Sequence, residues 1–352
     1  MTSDLYPYLL DPLITPAIWG GHALVRQYGK TGDPNAAIGE SWECWETDRV
    51  RNGSMAGLSV ADLRAKLGMQ LLGDGDPSRP FPILTKFIDA REALSVQVHP
   101  DDAYAQRVEH QPNGKTECWL VLAADPGAEL VLGWTHDTTR TEYVTRVENG
   151  TLGEILRRVP VKEGDAFYLP SGTLHAIGKG IVVYETQQAS DLTYRIFDWN
   201  RLGTDGKPRE LHVAKAADVL NYHQGRAAQL TTIAYHFDGM DRTALIADKH
   251  FIVERIHASA EPATLPTYNR PIICTALARP LHLHCDGGDA DLAPYQTALV
   301  PAGASYVQVQ ADHGDAPFMC VTPPVDARTL PVRLLAAGIA EDRIDTFMAQ
   351  FA

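Results

Sequence analysis

The stretch GDAFYLPSGTLHAIGKG (164–180) decides how the rest of the chain is read. It has the form Gly164, five residues, Pro170-x-Gly172, two residues, His175. Glycine and proline at these positions favour a tight turn between antiparallel strands, which sets His175 just past the turn at the start of the next strand. One hairpin thus delivers one imidazole. Alone, the pattern also describes an ordinary hairpin with a solvent-facing histidine.

Upstream lies LSVQVHPDDAYAQRVEHQPNGKTECWLVL (94–122). Gln97 and His99 are two apart on a β-type run, so their side chains share one face. Glu117 heads the next apolar run, where a carboxylate is costly unless something compensates it, and a cation is a natural compensator. Gln97, His99, Glu117 and His175 together offer two imidazoles, one carboxylate and one amide oxygen. That mixed set suits Zn²⁺ with an open position, or Mn²⁺, Co²⁺ or Fe²⁺.

Short β-type runs punctuated by glycine and proline surround these residues, among them 81–90, 94–100, 117–125, 166–170, 181–188 and 194–199. Closely spaced strands with turn signals, and no βαβ alternation, predict a mainly β protein. Helical periodicity is confined to 59–68, 140–159, 209–222 and the C-terminal LLAAGIAEDRIDTFMAQF, read as packing helices. A second β-rich block runs from about 228 to about 325 and repeats the pattern of strand, turn and Pro-Gly turn. The expected division is 1–223, carrying the metal residues and helical insertions, and 224–352, a degenerate copy ending in a helix. His282 and His284 form an H-x-H pair in that block. No glutamate follows them at comparable spacing, and the turn PAGASY lacks a counterpart of His175, so the block is read as metal-free.

Thirty-one basic against 44 acidic residues give a net charge of −13, with no basic run, which argues against nucleic acid as a partner. The N-terminus shows no basic stretch leading into an apolar one, and no run approaches the ~20 apolar residues of a membrane span. Five scattered cysteines without a CxxC pair suit a reducing compartment. The expectation is a cytoplasmic protein, monomeric or homodimeric, with a small-molecule ligand.

The order Gln-x-His, Glu, Pro-x-Gly-x-x-His resembles the two cupin motifs, in the variant found in type I mannose-6-phosphate isomerases. GESWECWETD (39–48), PILTKFIDAREALSVQVHPDD (82–102), NGKTECWLVL (113–122), LPSGTLHAIGKGI (169–181), ETQQASDLTYRIFDWNR (185–201) and GKPRELHVAKAADVL (206–220) are similar to segments of that family, in family order. The chain's length, without a large helical insertion, resembles the short bacterial form. The resemblance implies two cupin-like, jelly-roll β-barrels with a few packing helices. It implies one zinc ion per chain and interconversion of mannose 6-phosphate and fructose 6-phosphate through an enediolate. It also carries over Lys86, Lys115 and Arg195 as residues of the substrate and phosphate cavity, with Lys115 and Arg195 among the catalytic groups.

Lys86 inside an apolar strand and Arg195 in TYRIFDW are awkward places for unpaired cations. Either could snorkel to water, or they could converge to hold a phosphate. Glu185, on the strand after the His175 hairpin, is the first choice of base, with a structural partnership to Arg195 or a lysine as the competing reading. Metal-bound hydroxide and a relay through His99 stay open. The rival functions are an isomerase of a free sugar, an oxygenase-type cupin, disfavoured by Gln97 where such enzymes place a histidine, and a sugar-binding regulatory cupin without turnover.

Overall fold

The computed structural model describes residues 4–203, 206–224, 229–323 and 329–351. In chain order come β1 (Tyr8–Asp11), β2 (Leu13–Gly21), β3 (Ile38–Cys44), β4 (Arg49–Val50), β5 (Ile83–Ala90), β6 (Val96–Val98) and β7 (Glu117–Ala124). Next are β8 (Glu129–Trp134), β9 (Leu156–Pro160), β10 (Ala166–Leu169), β11 (His175–Ala176), β12 (Ile181–Gln188) and β13 (Tyr194–Phe197). The second half adds β14 (Ile233–Phe237), β15 (Met240–Ala247), β16 (Ile252–Ala258), β17 (Ala263–Pro266) and β18 (Ile272–Ala276). It closes with β19 (Leu281–Cys285), β20 (Gly288–Leu292), β21 (Thr297–Val300), β22 (Tyr306–Ala311) and β23 (Ala316–Thr322).

These strands pair antiparallel throughout, as the absence of βαβ patterning predicts. A six-stranded sheet, β10-β7-β12-β5-β2-β3, faces a five-stranded one, β13-β6-β11-β8-β9. Ile88, Val121, Phe167 and Val183 of the first sheet meet Leu130 and Leu132 of the second in one buried cluster. A second pair of sheets, β14-β15-β16-β23-β18-β21-β1-β4 and β17-β22-β19-β20, closes over Cys274, Phe318, Leu283, Val307 and Val309. Between the two sandwiches Tyr8, Phe87, Tyr184, Leu245, Val253, Ile273 and Met319 form a shared core.

β1 hydrogen-bonds to β21, with Tyr8 opposite Leu299, so the first strand of the chain belongs to the sheet of the second half. A division after residue 223 assigns it to the other side. Four residues of mixed pattern carry no sign of their partner, since pairing is decided by strands far away in sequence.

The helices follow their local signals. Val60–Leu67 opens on a capping box in which Ser59 and Asp62 satisfy each other's backbone N–H, and it stops at Gly68 with φ of 52°. The run 140–159 is α-helical only over Arg140–Glu148; Asn149-Gly150 ends it, a short 3₁₀ turn spans Leu152–Ile155, and Leu156–Pro160 is β9. The stretch 209–222 contracts to Val213–Val219, and the C-terminal segment splits at Gly338 into Thr329–Ala336 and Glu341–Met348. The last two cover Tyr235, Ala244 and Ile252 on the outer face of the eight-stranded sheet. Among the described residues no helix is long and apolar enough to cross a membrane.

Candidate metal centre and cavity

The Pro-x-Gly turn of 164–180 does set His175 at the start of the next strand, but the strands it joins form no hairpin. β10 pairs with β7 in the six-stranded sheet and β11 belongs to the five-stranded one, so the turn crosses between sheets. It also fixes a second candidate ligand. Gly172 has φ of 84°, the left-handed region where a side chain is strained, and a Cβ there would meet Val219 O at 2.9 Å. The Gly172 N–H donates to the carbonyl of His99 at 2.9 Å, tying the turn to the end of β6. β11 then runs between β6 and β8, with His175 opposite Gln97 on one side and Leu132 on the other. Glu117 heads β7 between Leu169 and Gln187.

His99, Glu117 and His175 are buried, and one donor atom from each lies within 4.8 Å of the others. The two Nε2 atoms are 3.1 Å apart, and each lies 3.4 Å from a Glu117 oxygen. The other ring nitrogens face carbonyls, His99 Nδ1 at 2.8 Å from Leu192 O and His175 Nδ1 at 2.9 Å from Thr173 O. Each Nδ1 must therefore carry the hydrogen, which leaves two Nε2 lone pairs pointing at one another. Burial, chiefly, lowers the pKa of both imidazoles, His99 to about 4, so neither is protonated near neutrality. Glu117 Oε2 is buried without a hydrogen-bond partner. Facing lone pairs and an orphaned carboxylate oxygen repel unless a cation lies among them, so the residues present fit a divalent ion. Gln97 lines the same cavity. Its amide nitrogen donates to Ser95 Oγ at 2.9 Å, so the atom it can offer an ion is its amide oxygen.

The cavity has a volume of about 350 Å³ and is lined by Gln97, Glu117, His175, Lys86, Lys115, Glu185 and Arg195, the residues singled out by sequence except His99. Lys115 Nζ sits 2.6 Å from Glu117 Oε1. Burial opposes the charge of both partners, yet their mutual attraction prevails: Lys115 is held above, and Glu117 well below, its usual range. Glu185 on β12 lies opposite Lys86 on β5 and Trp119 on β7. It accepts from Trp119 Nε1 at 2.7 Å, and Lys86 Nζ stands 3.7 Å away. Burial first, and then the charge of Glu117, push its pKa up to about 7.

Arg195, opposite Gln97 across β13 and β6, donates from Nη1 to Glu210 O at 3.1 Å and leaves its Nε without a partner. Arg209, which sequence reading passed over, joins it at the cavity wall, held by a bidentate contact to Asp198 at 2.6 and 2.7 Å. Glu40 was missed too. It lines the cavity from β3, accepts from Trp42 Nε1 at 2.6 Å and lies 3.3 Å from Lys86 Nζ. The strand reads IGESWEC, with Ser41 and Glu43 beside it, so nothing local sets Glu40 apart. His282 and His284 lie elsewhere, on the outward side of β19, each beside an aspartate of β20.

A family model described as phosphomannose isomerase type I, catalytic domain, matches residues 8–150. A mannose-6-phosphate isomerase of Streptococcus mutans is 40% identical over 253 residues, covering 70% of this chain and 77% of that protein. The mannose-6-phosphate isomerase ManA of Bacillus subtilis is 44% identical over 227 residues, 62% of this chain and 69% of that one. Among solved structures, the mannose 6-phosphate isomerase of Bacillus subtilis superposes with a TM-score of 0.81 at 32% identity, over 90% of this chain and 99% of the other. A zinc-bound mannose 6-phosphate isomerase, 14% identical, shares the fold with a TM-score of 0.71 over 91% of this chain and 100% of that one.

Proposed function

The chain belongs to the type I phosphomannose isomerase family, and we propose that it interconverts mannose 6-phosphate and fructose 6-phosphate at the cavity around His99, Glu117 and His175. The observation that carries this reading is a pair of neighbours in that cavity. One is an ion site; the other is a separate buried carboxylate, Glu185, whose pKa of about 7 suits a group that must both take and return a proton.

His99, Glu117, His175 and the amide oxygen of Gln97 would hold the ion, and zinc fits this donor set best. A divalent cation held there would supply Lewis-acid stabilisation of negative charge developing on substrate oxygen. The remaining roles belong to side chains. Glu185 lifts the proton from one carbon and returns it to its neighbour. Trp119 fixes the orientation of that carboxylate through its indole N–H. Lys115, anchored on Glu117, places a positive charge beside the reacting oxygens.

Lys86 and Lys115 are both engaged by carboxylates, so the phosphate falls chiefly to Arg195, with Arg209 beside it. The same engagement favours a second reading, an isomerase of the unphosphorylated sugar. Residues 1–223 are read as the catalytic part and 224–352 as the part without turnover. A coupled assay on mannose 6-phosphate and on mannose, with deuterium exchange at C2 followed by NMR, tests all of this. Preference for free mannose would replace the phosphate reading, and absence of turnover on both sugars would sink the isomerase.

A further inference from the structure

Besides Glu117 and Glu185, the cavity is lined by Glu40 and by the exposed Asp191, both left unused by isomerisation alone, and Glu40 is the one beside Lys86. Glu40 and Glu185 lie on either side of Lys86, with its Nζ 3.3 Å from Glu40 Oε2 and 3.7 Å from Glu185 Oε2. Each accepts a hydrogen bond from an indole, Glu40 from Trp42 and Glu185 from Trp119. Strand register builds the arrangement, because Trp42, Lys86, Glu185 and Trp119 stand opposite one another in a row across β3, β5, β12 and β7. The Trp42 ring packs against Lys86 Nζ, 4.5 Å from its centroid, and limits where the ammonium can move.

One carboxylate is enough to neutralise Lys86, and Glu185 is already there. A second, in a site meant for an anion, adds repulsion, so a chemical role has to offset it. The substrate supplies one. A hexose 6-phosphate is almost wholly a closed ring in water, and its C2 hydrogen becomes acidic only once C1 is a carbonyl. Opening the ring requires a base at the C1 hydroxyl and an acid at the ring oxygen.

We infer that Glu40 and Lys86 are the ring-opening pair of this site, an inference that rests on the isomerase reading above. The Glu40 carboxylate takes the proton of the C1 hydroxyl. The electrons of that O–H bond form the second C1–O bond, and the bond from C1 to the ring oxygen breaks with its pair on that oxygen. The oxygen takes a proton from the Lys86 ammonium. Neutral Lys86 then recovers a proton from the Glu40 carboxyl across the 3.3 Å contact. Both groups end as they began, no co-reactant is consumed, and Glu185 stays free for the carbon-bound proton. The charge balance agrees: burial acts to raise the Glu40 pKa, but Lys86, Trp42 and Lys115 outweigh it and keep the group ionised.

The test compares two substrates for wild type, Glu40→Gln and Glu40→Asp. One is mannose 6-phosphate. The other is its 4,5-dideoxy analogue, which has no hydroxyl placed to close a five- or six-membered ring. Loss of an acid–base group costs about 10²–10⁴-fold. We expect Glu40→Gln to lose at least ~100-fold in kcat/KM on mannose 6-phosphate and no more than ~3-fold on the open analogue. Glu40→Asp should fall between wild type and Glu40→Gln on the first. The variant should also lose enzyme-catalysed exchange between the α and β anomers, read by NMR, while keeping its metal content and thermal midpoint. Equal losses on both substrates would show that Glu40 only positions Lys86 and would overturn the inference, as would no loss on either. Wild-type protein inert on both compounds would remove the isomerase reading itself, and this inference with it.

Discussion

The two sandwiches use similar strand patterns to opposite ends, and the contrast is sharpest at their x-His strands. On β6 and just beyond it, Gln97 and His99 reach the cavity and the ion site. On β19, Leu281, Leu283 and Cys285 take the interior while His282 and His284 look outward, their side chains 36% and 43% exposed. A shift of one residue in the alternation exchanges a ligand strand for a core strand. The first sandwich accordingly holds Lys86, Lys115, Glu117 and Glu185 at 5% exposure or less around its cavity. The second packs Cys274, Leu283, Val307, Val309 and Cys320 between its sheets and buries Arg242 and Glu254 beside one another. Burying charged groups opposes folding unless each is paired, and burying aliphatic ones drives it. The candidate ion site lies wholly in the first sandwich.

Changes to the ion site should produce the largest effect. Glu117→Gln removes the sole anionic ligand and strands Lys115 beside a neutral amide, so bound metal and turnover should vanish together. Elemental analysis alongside the assay checks this, and full turnover in demonstrably metal-free protein would contradict the assignment. Glu185→Gln comes next. Turnover should fall by about 10²–10⁴-fold with metal content retained. Because the base acts as the carboxylate, wild-type activity should decline as pH falls through about 7, and that limb should be absent in the variant. If metal is lost instead, Glu185 belongs to the scaffold.

In the second sandwich the ranking should invert. Leu283→Ala, at a fully buried position, should cost about 2–5 kcal/mol in chemical denaturation. Activity per folded molecule should stay unchanged; a matching fall in kcat would mean that the halves share catalysis. Arg195→Met should weaken selection of mannose 6-phosphate over mannose by roughly 10–100-fold, the worth of one charge-assisted phosphate contact. Uniform loss on both sugars would assign Arg195 to folding. The smallest effect should come from replacing His282 and His284 together by alanine, within about 0.5 kcal/mol and with no change in activity or metal content.

The ion site was legible because its residues sit in local patterns: a Pro-x-Gly turn, a two-residue spacing, a carboxylate heading an apolar run. Each element constrains its own side chain, so linear spacing carries most of the geometry. Glu40 was not legible for the opposite reason. What distinguishes it is its place beside a row running through four strands, and cross-strand register lies between segments. Arg209 stayed hidden because its orientation depends on Asp198, within a loop that has no periodicity. The helical extent of 140–159 was overread because Leu156 and Val159 continue an apolar spacing beyond Asn149-Gly150, where the backbone turns away and becomes a strand.

The pairing of Tyr8 with Leu299 sets a timetable for synthesis. Chains grow at about 5–20 residues per second, so β1 leaves the ribosome roughly 15–60 s before its partner strand exists. Through that interval the sheet groups of Tyr8–Asp11 have no β21 to bind, and an open strand is a template for pairing with a neighbouring nascent chain. Closure of the second sandwich must therefore come late, as the return of an early segment to one made much later. Slow, sequence-distant docking of this kind makes yield depend on temperature and chaperone supply more than equilibrium stability would indicate. Removing residues through Asp11 would leave the β21 edge bare while every residue named in the cavity stays in place.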